Sequence, residues 1–320
     1  MATPPVPSHP SGTLPDAAPS NWVDRRAPAA WQPYLQLMRL DRPIGAWLLL
    51  FPCWWGQALA EDAIGRPHPS PFYLALFFAG AFVMRAAGCT YNDIVDKDYD
   101  AAVARTAARP LPSGRVGMAG ARLLLAALCL AGLLLLLQLN AFAILLGAGS
   151  LLLVAIYPFM KRYTYWPQLI LGLTFSWGAL LGWSAVTGAL SPAPIVLYAG
   201  AVSWTIGYDT IYAHQDKEDD LLLGLKSTAL KFGAKTKAWV GAFYAAAALC
   251  WTAAGALAGA RLAYYLALAL LAVQLAWQVR TLEPDVAGNC LARFVSNRLV
   301  GWLLFLGLVT DMLLANLTRP

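Results

Sequence analysis

Long apolar stretches alternate with short polar or Pro/Gly-containing connections along most of the sequence. A helix needs about 20 residues to cross the hydrocarbon core of a bilayer, and each stretch is close to that length. The pattern therefore predicts an all-α, polytopic integral membrane bundle of about nine transmembrane helices. The predicted spans cover residues 44–60, 72–90, 123–139, 141–160, 167–186, 195–213, 239–257, 262–278 and 299–316.

The basic residues give a separate test of this pattern, because Lys and Arg collect on the cytoplasmic side of membrane proteins. With the N-terminus inside, all 23 Lys and Arg residues except Arg66, Arg261 and Arg319 fall in inward segments. The predicted orientation is therefore N-terminus inside and C-terminus outside. Since the net charge of +6 follows from this distribution, we expect a lipid bilayer as partner and no nucleic acid.

Composition agrees with a membrane protein: 59% of residues are hydrophobic and 12% are charged, whereas about a quarter are charged in soluble domains. Residues 1–30 are rich in Pro, Ala and Ser and predict a flexible cytoplasmic N-terminal tail; residues 31–320 predict one transmembrane domain. Asp16 and Asp24 argue against a targeting helix in the tail. We therefore expect a multi-pass protein of a bacterial cell inner membrane, with a mitochondrial inner membrane as the alternative.

More than half of the 17 Asp and Glu residues lie in two short stretches, NDIVDKDYD at 92–100 and YDTIYAHQDKEDD at 208–220. Residues spaced three, four or seven apart share one face of a helix. The spacing predicts one carboxylate face from each stretch: Asp93, Asp96 and Asp100, and Asp209, Asp216 and Asp220. His214 lies inside the second stretch, and we expect it at the surface.

Carboxylates concentrated at membrane edges repel one another unless a positive charge lies between them. Magnesium prefers one or two carboxylates together with phosphate oxygens and waters, so two carboxylate faces and a diphosphate would form a suitable site. A solvated loop face is the simpler interpretation of one acidic stretch. Two stretches with helical spacing, both on the inward side, favour the ion site.

Basic side chains near these stretches could bind the diphosphate, because Arg matches phosphate oxygens with paired donors. The candidates are Arg105 and Arg109 after the first stretch, and Lys161 and Arg162 in YPFMKRYTYWP. Each of them could instead be a positive-inside anchor.

Three further arginines have two interpretations each. Arg85 lies within a predicted span, where an unpaired charge is costly, so we expect it to be a counter-ion to the carboxylates or a substrate ligand. Arg39 and Arg42 precede the first span and could bind an acceptor carboxylate or anchor the helix. Aromatic residues such as Trp204, Tyr208 and Tyr212 could line an apolar chamber or form an interfacial belt.

The motifs resemble those of the UbiA superfamily of intramembrane aromatic prenyltransferases. The NDxxDxxxD motif is matched by Asn92, Asp93, Asp96 and Asp100, and a DxxxD motif by Asp216 and Asp220 with Asp209 upstream. The segments LMRLDRPIGAWLLL, MRAAGCTYNDIVDKDYD, RTAARPLPSG, YPFMKRYTYWPQ and YDTIYAHQDKEDDLLLGLKST resemble the 4-hydroxybenzoate polyprenyltransferase branch.

This resemblance implies nine helices around a central cavity and Mg2+-dependent transfer of a polyprenyl chain from polyprenyl diphosphate to 4-hydroxybenzoate, in ubiquinone biosynthesis. It implies that the six aspartates of the two faces are catalytic. The residues expected to bind substrate are Asn92, Arg39, Arg42, Arg85, Arg105, Arg109, Lys161 and Arg162. The expected metal ligands are Asn92, Asp96, Asp100, Asp216 and Asp220.

Other interpretations remain open. Another member of the superfamily could use a naphthoate, homogentisate or haem acceptor. A divalent-cation transporter would carry acidic residues through the whole bilayer, whereas here they stop at one side apart from Asp311. A membrane scaffold would not explain two carboxylate faces.

Overall fold

The computed structural model describes residues 21–103 and 106–317. In this part of the chain the regular structure is helical, with short 3-10 turns at Tyr157–Phe159 and Gly233–Lys235 and no strand. The α-helices are α1 Trp22–Arg26, α2 Gln32–Leu37, α3 Ile44–Ala63, α4 Pro71–Ala102, α5 Met118–Leu136, α6 Ala141–Ile156, α7 Met160–Tyr163, α8 Pro167–Ser176, α9 Gly178–Thr187, α10 Pro192–Ala213, α11 Lys217–Leu222, α12 Thr228–Phe232, α13 Thr236–Ala258, α14 Leu262–Thr281 and α15 Ala287–Leu317.

Among the described residues, seven helical stretches are long and apolar enough to cross a membrane. These are Pro71–Ala102, Met118–Leu136, Ala141–Tyr163, Pro167–Thr187, Thr228–Ala258, Leu262–Thr281 and Ala287–Leu317. The stretches predicted at 44–60 and 195–213 form α3 and α10, with 20 and 22 residues, but are not among the seven. The all-α membrane fold is confirmed, and the number nine is not.

The chain divides into two compact units: unit 1 contains Met1–Gly45 and Val83–Ala131, and unit 2 contains Ala46–Phe82 and Gly132–Pro320. Unit 1 holds an apolar cluster of Leu37, Leu111, Val116 and Ala121. Because these residues come from α2, α5 and the segment between α4 and α5, they hold that segment against the helices.

Residues 21–30 belong to the predicted flexible tail, yet they contain α1. Asn21 begins this helix, since its side-chain oxygen accepts hydrogen bonds from the backbone N–H groups of Val23 and Asp24. Val23 is buried, and Gln36 of α2 donates to the Asp24 carboxylate at 2.9 Å. The folded part of unit 1 therefore begins before the predicted boundary at residue 30.

Helix α10 is the centre of unit 2 and packs against α8, α9, α13 and α15. Thirteen of its 22 residues are buried, so much of its surface faces protein rather than lipid, which explains why it can be less apolar than the seven stretches above. The Trp204 ring of α10 contacts two other tryptophans, with centroid distances of 5.3 Å to Trp55 and 6.0 Å to Trp251. Its indole N–H donates to Asn297 Oδ1 at 2.7 Å, which satisfies a buried donor.

Glycines allow α3 and α9 to approach backbone to backbone within unit 2. A Cβ on Gly182 would lie 2.8 Å from the Gln57 nitrogen and would overlap the Cys53 carbonyl oxygen. Gly56 faces the Ala179 carbonyl and Gly178 faces Cys53 in the same way. Small residues at such positions permit the close packing typical of membrane helices.

An ionic cluster of one exposed arginine and two buried carboxylates joins three helix ends of unit 2. Arg261, just before α14, donates to Asp62 at 3.0 Å and to Asp311 of α15 at 3.1 Å, and its backbone N–H donates to Asp311 at 2.7 Å. The two nearby Asp carboxylates raise the pKa of Arg261, above all through the Asp62 hydrogen bond. The predicted orientation puts all three helix ends on the outward side, and the cluster brings them together as that orientation requires.

We predict that Gly182→Ala destabilises the protein by about 2 kcal/mol, because the added Cβ would meet α3 backbone that has no room to move. Gly80→Ala is the matched control: a Cβ there has nothing within 4 Å, so the better helix propensity of Ala should leave stability equal or higher. Detergent-denaturant titration of the purified protein measures both. Equal losses in the two variants would contradict the close α3–α9 packing.

Candidate active site

The first acidic motif lies on the last three turns of α4, in unit 1. Asp93, Asp96 and Asp100 are 1%, 0% and 8% exposed, whereas Asp98 is exposed. The predicted helical face is therefore confirmed, since the three aspartates at the expected spacing share a buried side and Asp98 does not. Three carboxylates buried together require positive charge close by.

Arg39 supplies part of that charge. Its Nη2 lies 2.8 Å and 2.9 Å from the two Asp93 oxygens, and its Nη1 donates to the Gln36 carbonyl oxygen at 3.0 Å. Arg39 is 9% exposed and has a φ of 59°, a left-handed conformation that is unfavourable for a residue with a side chain. Arg39 is the residue after the C-cap of α2, where the N–H groups of Arg39 and Leu40 donate to the Gln36 and Leu35 carbonyls, so its backbone belongs to the turn that ends this helix. The ion pair with Asp93 holds its side chain.

Arg109 pairs with the same face from the segment that follows α4. Its Nη1 lies 3.0 Å from Asp100 and 3.6 Å from Asp93. Thr106 donates its hydroxyl to the Asp100 carbonyl oxygen at 2.8 Å and so folds the chain back over the end of α4. Arg105 lies outside the described residues. Arg115 donates to Gln36 at 2.8 Å, and its burial lowers its pKa.

Asn92 and Asp96 form the part of this face best suited to a metal. They are one helical turn apart, and the Asn92 amide lies 3.2 Å from Asp96 Oδ2. Across residues 21–103 and 106–317, no group of three His, Cys, Asp or Glu side chains could hold a metal ion on its own. An amide oxygen and one or two carboxylates still fit magnesium, because this ion takes its other ligands from phosphate and water.

Arg85 lies on α4 two turns before Asn92 and is half-buried. Its guanidinium packs on Gly45 at the start of α3, where an added Cβ would overlap Nε and lie 2.9 Å from Nη2. Only glycine leaves the guanidinium in this position. Arg42 lies close by in the chain, with Nη2 3.3 Å from the buried Asp41 carboxylate.

The second motif departs from its prediction. The spacing of Asp209, Asp216 and Asp220 assumes one continuous helix, but α10 ends at Ala213 and α11 begins at Lys217. The N–H groups of residues 214, 215 and 216 bond to carbonyls three residues earlier, which tightens the chain into a turn. Asp209 therefore lies on α10, whereas Asp216 precedes α11 and Asp220 lies within it, and the three do not share one helical face.

His214 lies in this turn and is buried, so its predicted surface position is wrong. Its Nε2 lies 3.0 Å from the Thr236 hydroxyl at the start of α13. Thr236 gives its own proton to the Gly233 carbonyl at 2.8 Å, which leaves it to accept from His214. Burial, with a contribution from Lys217, lowers the pKa of His214 to about 4. The neutral imidazole thus ties the turn to α13.

Lys161 and Arg162 lie on the short α7 of unit 2 and are partly exposed. The Lys226 backbone N–H donates to the Lys161 carbonyl at 2.8 Å, and Lys226 Nζ donates to the Tyr163 carbonyl at 3.2 Å. These bonds join the segment before α8 to the segment that follows α11. The predicted cations Lys161 and Arg162 are therefore brought close to a third, Lys226, within unit 2.

An aromatic wall follows α10. Tyr208 is 1% exposed, and its ring lies 4.9 Å from Trp204 and 5.7 Å from Phe294. The Tyr212 ring lies 4.6 Å from Phe294. Phe294 of α15 was missed by the sequence analysis, since nothing in its local sequence distinguishes it from a lipid-facing residue.

A family model described as the UbiA prenyltransferase family matches residues 49–309, which include both acidic motifs. The chain belongs to the UbiA prenyltransferase family. A Caenorhabditis elegans relative named 4-hydroxybenzoate polyprenyltransferase, mitochondrial, is 51% identical over 299 residues, covering 92% of this chain and 83% of that protein. A Rattus norvegicus relative of the same name is 52% identical over 288 residues, covering 90% and 76%.

Solved UbiA structures have the same fold. The apo structure of a UbiA homolog from Aeropyrum pernix K1 has a TM-score of 0.69 at 27% identity and covers 83% of this chain and 98% of that one. A UbiA homolog from Archaeoglobus fulgidus bound to GPP and Mg2+ has a TM-score of 0.67 at 19% identity, covering 88% and 99%. The expected membership of the UbiA family, in its 4-hydroxybenzoate polyprenyltransferase branch, is confirmed.

We predict that Arg39→Ala destabilises this UbiA protein by about 3 kcal/mol, because Asp93 stays buried after losing its closest cation. Arg39→Gly loses the same ion pair but relieves the left-handed backbone, so it should be about 1 kcal/mol more stable than Arg39→Ala. Denaturant titration of both variants gives the difference. An Ala variant at least as stable as the Gly variant would contradict the strain at Arg39.

Proposed function

We propose that this UbiA protein transfers a polyprenyl chain from polyprenyl diphosphate to the ring carbon ortho to the hydroxyl of 4-hydroxybenzoate, in ubiquinone biosynthesis. The observation that carries the proposal is the 51% and 52% identity, over 92% and 90% of the chain, to relatives named 4-hydroxybenzoate polyprenyltransferase. The buried carboxylate face of α4 and its arginines supply chemistry suited to a diphosphate.

In this proposal Asn92, Asp96 and Asp100 from the first motif, with Asp216 and Asp220 from the second, hold magnesium beside the diphosphate. The Archaeoglobus fulgidus homolog is bound to GPP and Mg2+, which supports a prenyl diphosphate and this ion. Bound magnesium would withdraw charge from the diphosphate oxygens. Asp93 and Asp209 complete the proposed catalytic set.

The chain's own residues would then act on the reacting groups. Arg105, Lys161 and Arg162 stabilise negative charge on the diphosphate as the bond from its oxygen to the prenyl carbon breaks, and the electron pair leaves with the diphosphate. Arg39 and Arg109 are already paired with the α4 aspartates, so we assign them to positioning these carboxylates. The released allylic cation is attacked by the electron-rich ring, which then loses its proton.

The acceptor carboxylate is the part of the substrate that needs a cation of its own. Arg85 is the candidate we favour, because its guanidinium packs against Gly45 and is therefore held in one position. Arg42 is the second candidate, held near Asp41. Aromatic faces such as those of Tyr208, Tyr212 and Phe294 would stabilise an allylic cation and exclude water.

The names of the relatives, rather than the site, bear on which membrane contains this protein. Their names favour the mitochondrial alternative, and the bacterial inner membrane remains a prediction.

A cation transporter is disfavoured, because the buried outward carboxylates Asp62 and Asp311 are bonded to Arg261. We expected Asp311 to be the single acidic residue away from the inward side. That expectation is wrong, because Glu61 and Asp62 are also buried at the outward end of unit 2.

We predict that Asp96→Asn and Asp216→Asn each lower magnesium-dependent formation of prenylated 4-hydroxybenzoate roughly 100-fold or more, since several kcal/mol of charge stabilisation are lost. Asp98→Asn is the control, because Asp98 belongs to the same helix but is exposed. Membranes containing each variant are supplied with polyprenyl diphosphate, labelled acceptor and Mg2+. If wild-type membranes prenylate naphthoate or homogentisate instead, the acceptor assignment is wrong.

We predict that Gly45→Ala raises KM for 4-hydroxybenzoate roughly tenfold, because the new Cβ displaces the Arg85 guanidinium and one charged hydrogen bond is lost. KM for polyprenyl diphosphate should not change. Gly88→Ala, on the same helix as Arg85 with nothing within 4 Å of its added Cβ, is the control. A rise in KM for the diphosphate instead would assign Arg85 to the donor.

A further inference from the structure

An apolar groove of about 320 Å³ runs between α13 and α14 of unit 2. Small side chains create it: Gly241, Ala245 and Ala248 on α13 face Ala272 and Ala276 on α14. Its volume is at the lower end of the range of small-molecule sites, roughly 300–1,000 Å³. The groove lies on helices long and apolar enough to span a membrane, so its occupant comes from the bilayer or from another protein.

The inward end of the groove is positively charged. Arg280 of α14 lines it directly. Lys237 lies four residues before Gly241 on α13 and therefore shares its helical face. Both side chains are exposed, and neither forms an ion pair within the described part of the chain. Asp285, the Asp on the following loop, lies 3.7 Å from Lys217 instead.

The depth of these cations is marked by two tryptophans. Trp239 and Trp277 are 43% and 41% exposed and lie within one helical turn of Lys237 and Arg280. Exposed Trp concentrates at the level of lipid headgroups. The apolar part of the groove therefore lies at acyl-chain depth and its cationic end at headgroup depth.

We propose that this groove binds one phospholipid with an anionic headgroup from the inward leaflet. An acyl chain packs along the alanines of α13 and α14, and the phosphate group is bound by Arg280 and Lys237. Arg supplies two parallel donors to phosphate and Lys supplies a point charge, so the pair matches a phosphodiester whose headgroup carries no positive charge of its own. The site uses none of the residues assigned to prenyl transfer.

Native mass spectrometry of the full-length protein in detergent tests the proposal, with phosphatidylglycerol and phosphatidylcholine of identical acyl chains as probes. We expect phosphatidylglycerol to be retained preferentially. Arg280→Gln should weaken its binding roughly tenfold, the effect of losing one charged hydrogen bond. Ala245→Leu should weaken binding by filling the groove while leaving both cations in place.

Arg298→Gln is the matched control, because it removes one exposed positive charge from α15 that is not among the residues lining the groove. It should leave phosphatidylglycerol binding unchanged. Equal loss in Arg298→Gln and Arg280→Gln, or equal retention of the two lipids, would reduce the effect to general charge attraction and overturn the proposal. A dimer that Ala245→Leu dissociates would overturn it as well, since the groove would then be covered by a second copy of the chain.

Discussion

Burying charge in a protein that lies in a bilayer is expensive, and each unit of this structure depends on how that cost is met. In unit 1 the aspartates at the end of α4 are buried beside Arg39 and Arg109. In unit 2 Asp62 and Asp311 are buried around Arg261. The cations in both cases come from segments between helices. Connecting segments therefore determine where helix ends lie, although the helices contain most of the apolar surface.

In the proposed site, the ion pairs divide the candidate arginines into those assigned to substrate and those assigned to holding the carboxylates in place. The sequence presents Arg39 as a possible acceptor ligand, but the contact of its Nη2 with both Asp93 oxygens favours a positioning role. Arg85 is a costly charge within a predicted span, and its position against Gly45 gives it a fixed direction. The proposed site thus assigns two different roles to arginines around α4.

Sequence patterns predicted those features that depend on local geometry. The face of Asp93, Asp96 and Asp100 is correct, because α4 is continuous through the motif. The face of Asp209, Asp216 and Asp220 is wrong, because the turn at His214 depends on a hydrogen bond to Thr236, 22 residues away. Phe294 and the α3–α9 glycine contacts were missed for the same reason: they depend on distant partners, which helical periodicity does not reveal.

The Arg261 cluster also limits the order in which the chain can assemble. Asp62 and Arg261 are separated by 199 residues, and Asp311 follows Arg261 by another 50. Synthesis proceeds from the N-terminus, so Asp62 at the end of α3 is made long before Arg261, the cation that binds it. The cluster is complete only after α15 has been made. Insertion of the last helix brings Asp311 to an Arg261 that is already present, so it is the event that completes the outward end of unit 2, and a nascent chain stopped before it would hold the Asp62–Arg261 pair without its second carboxylate.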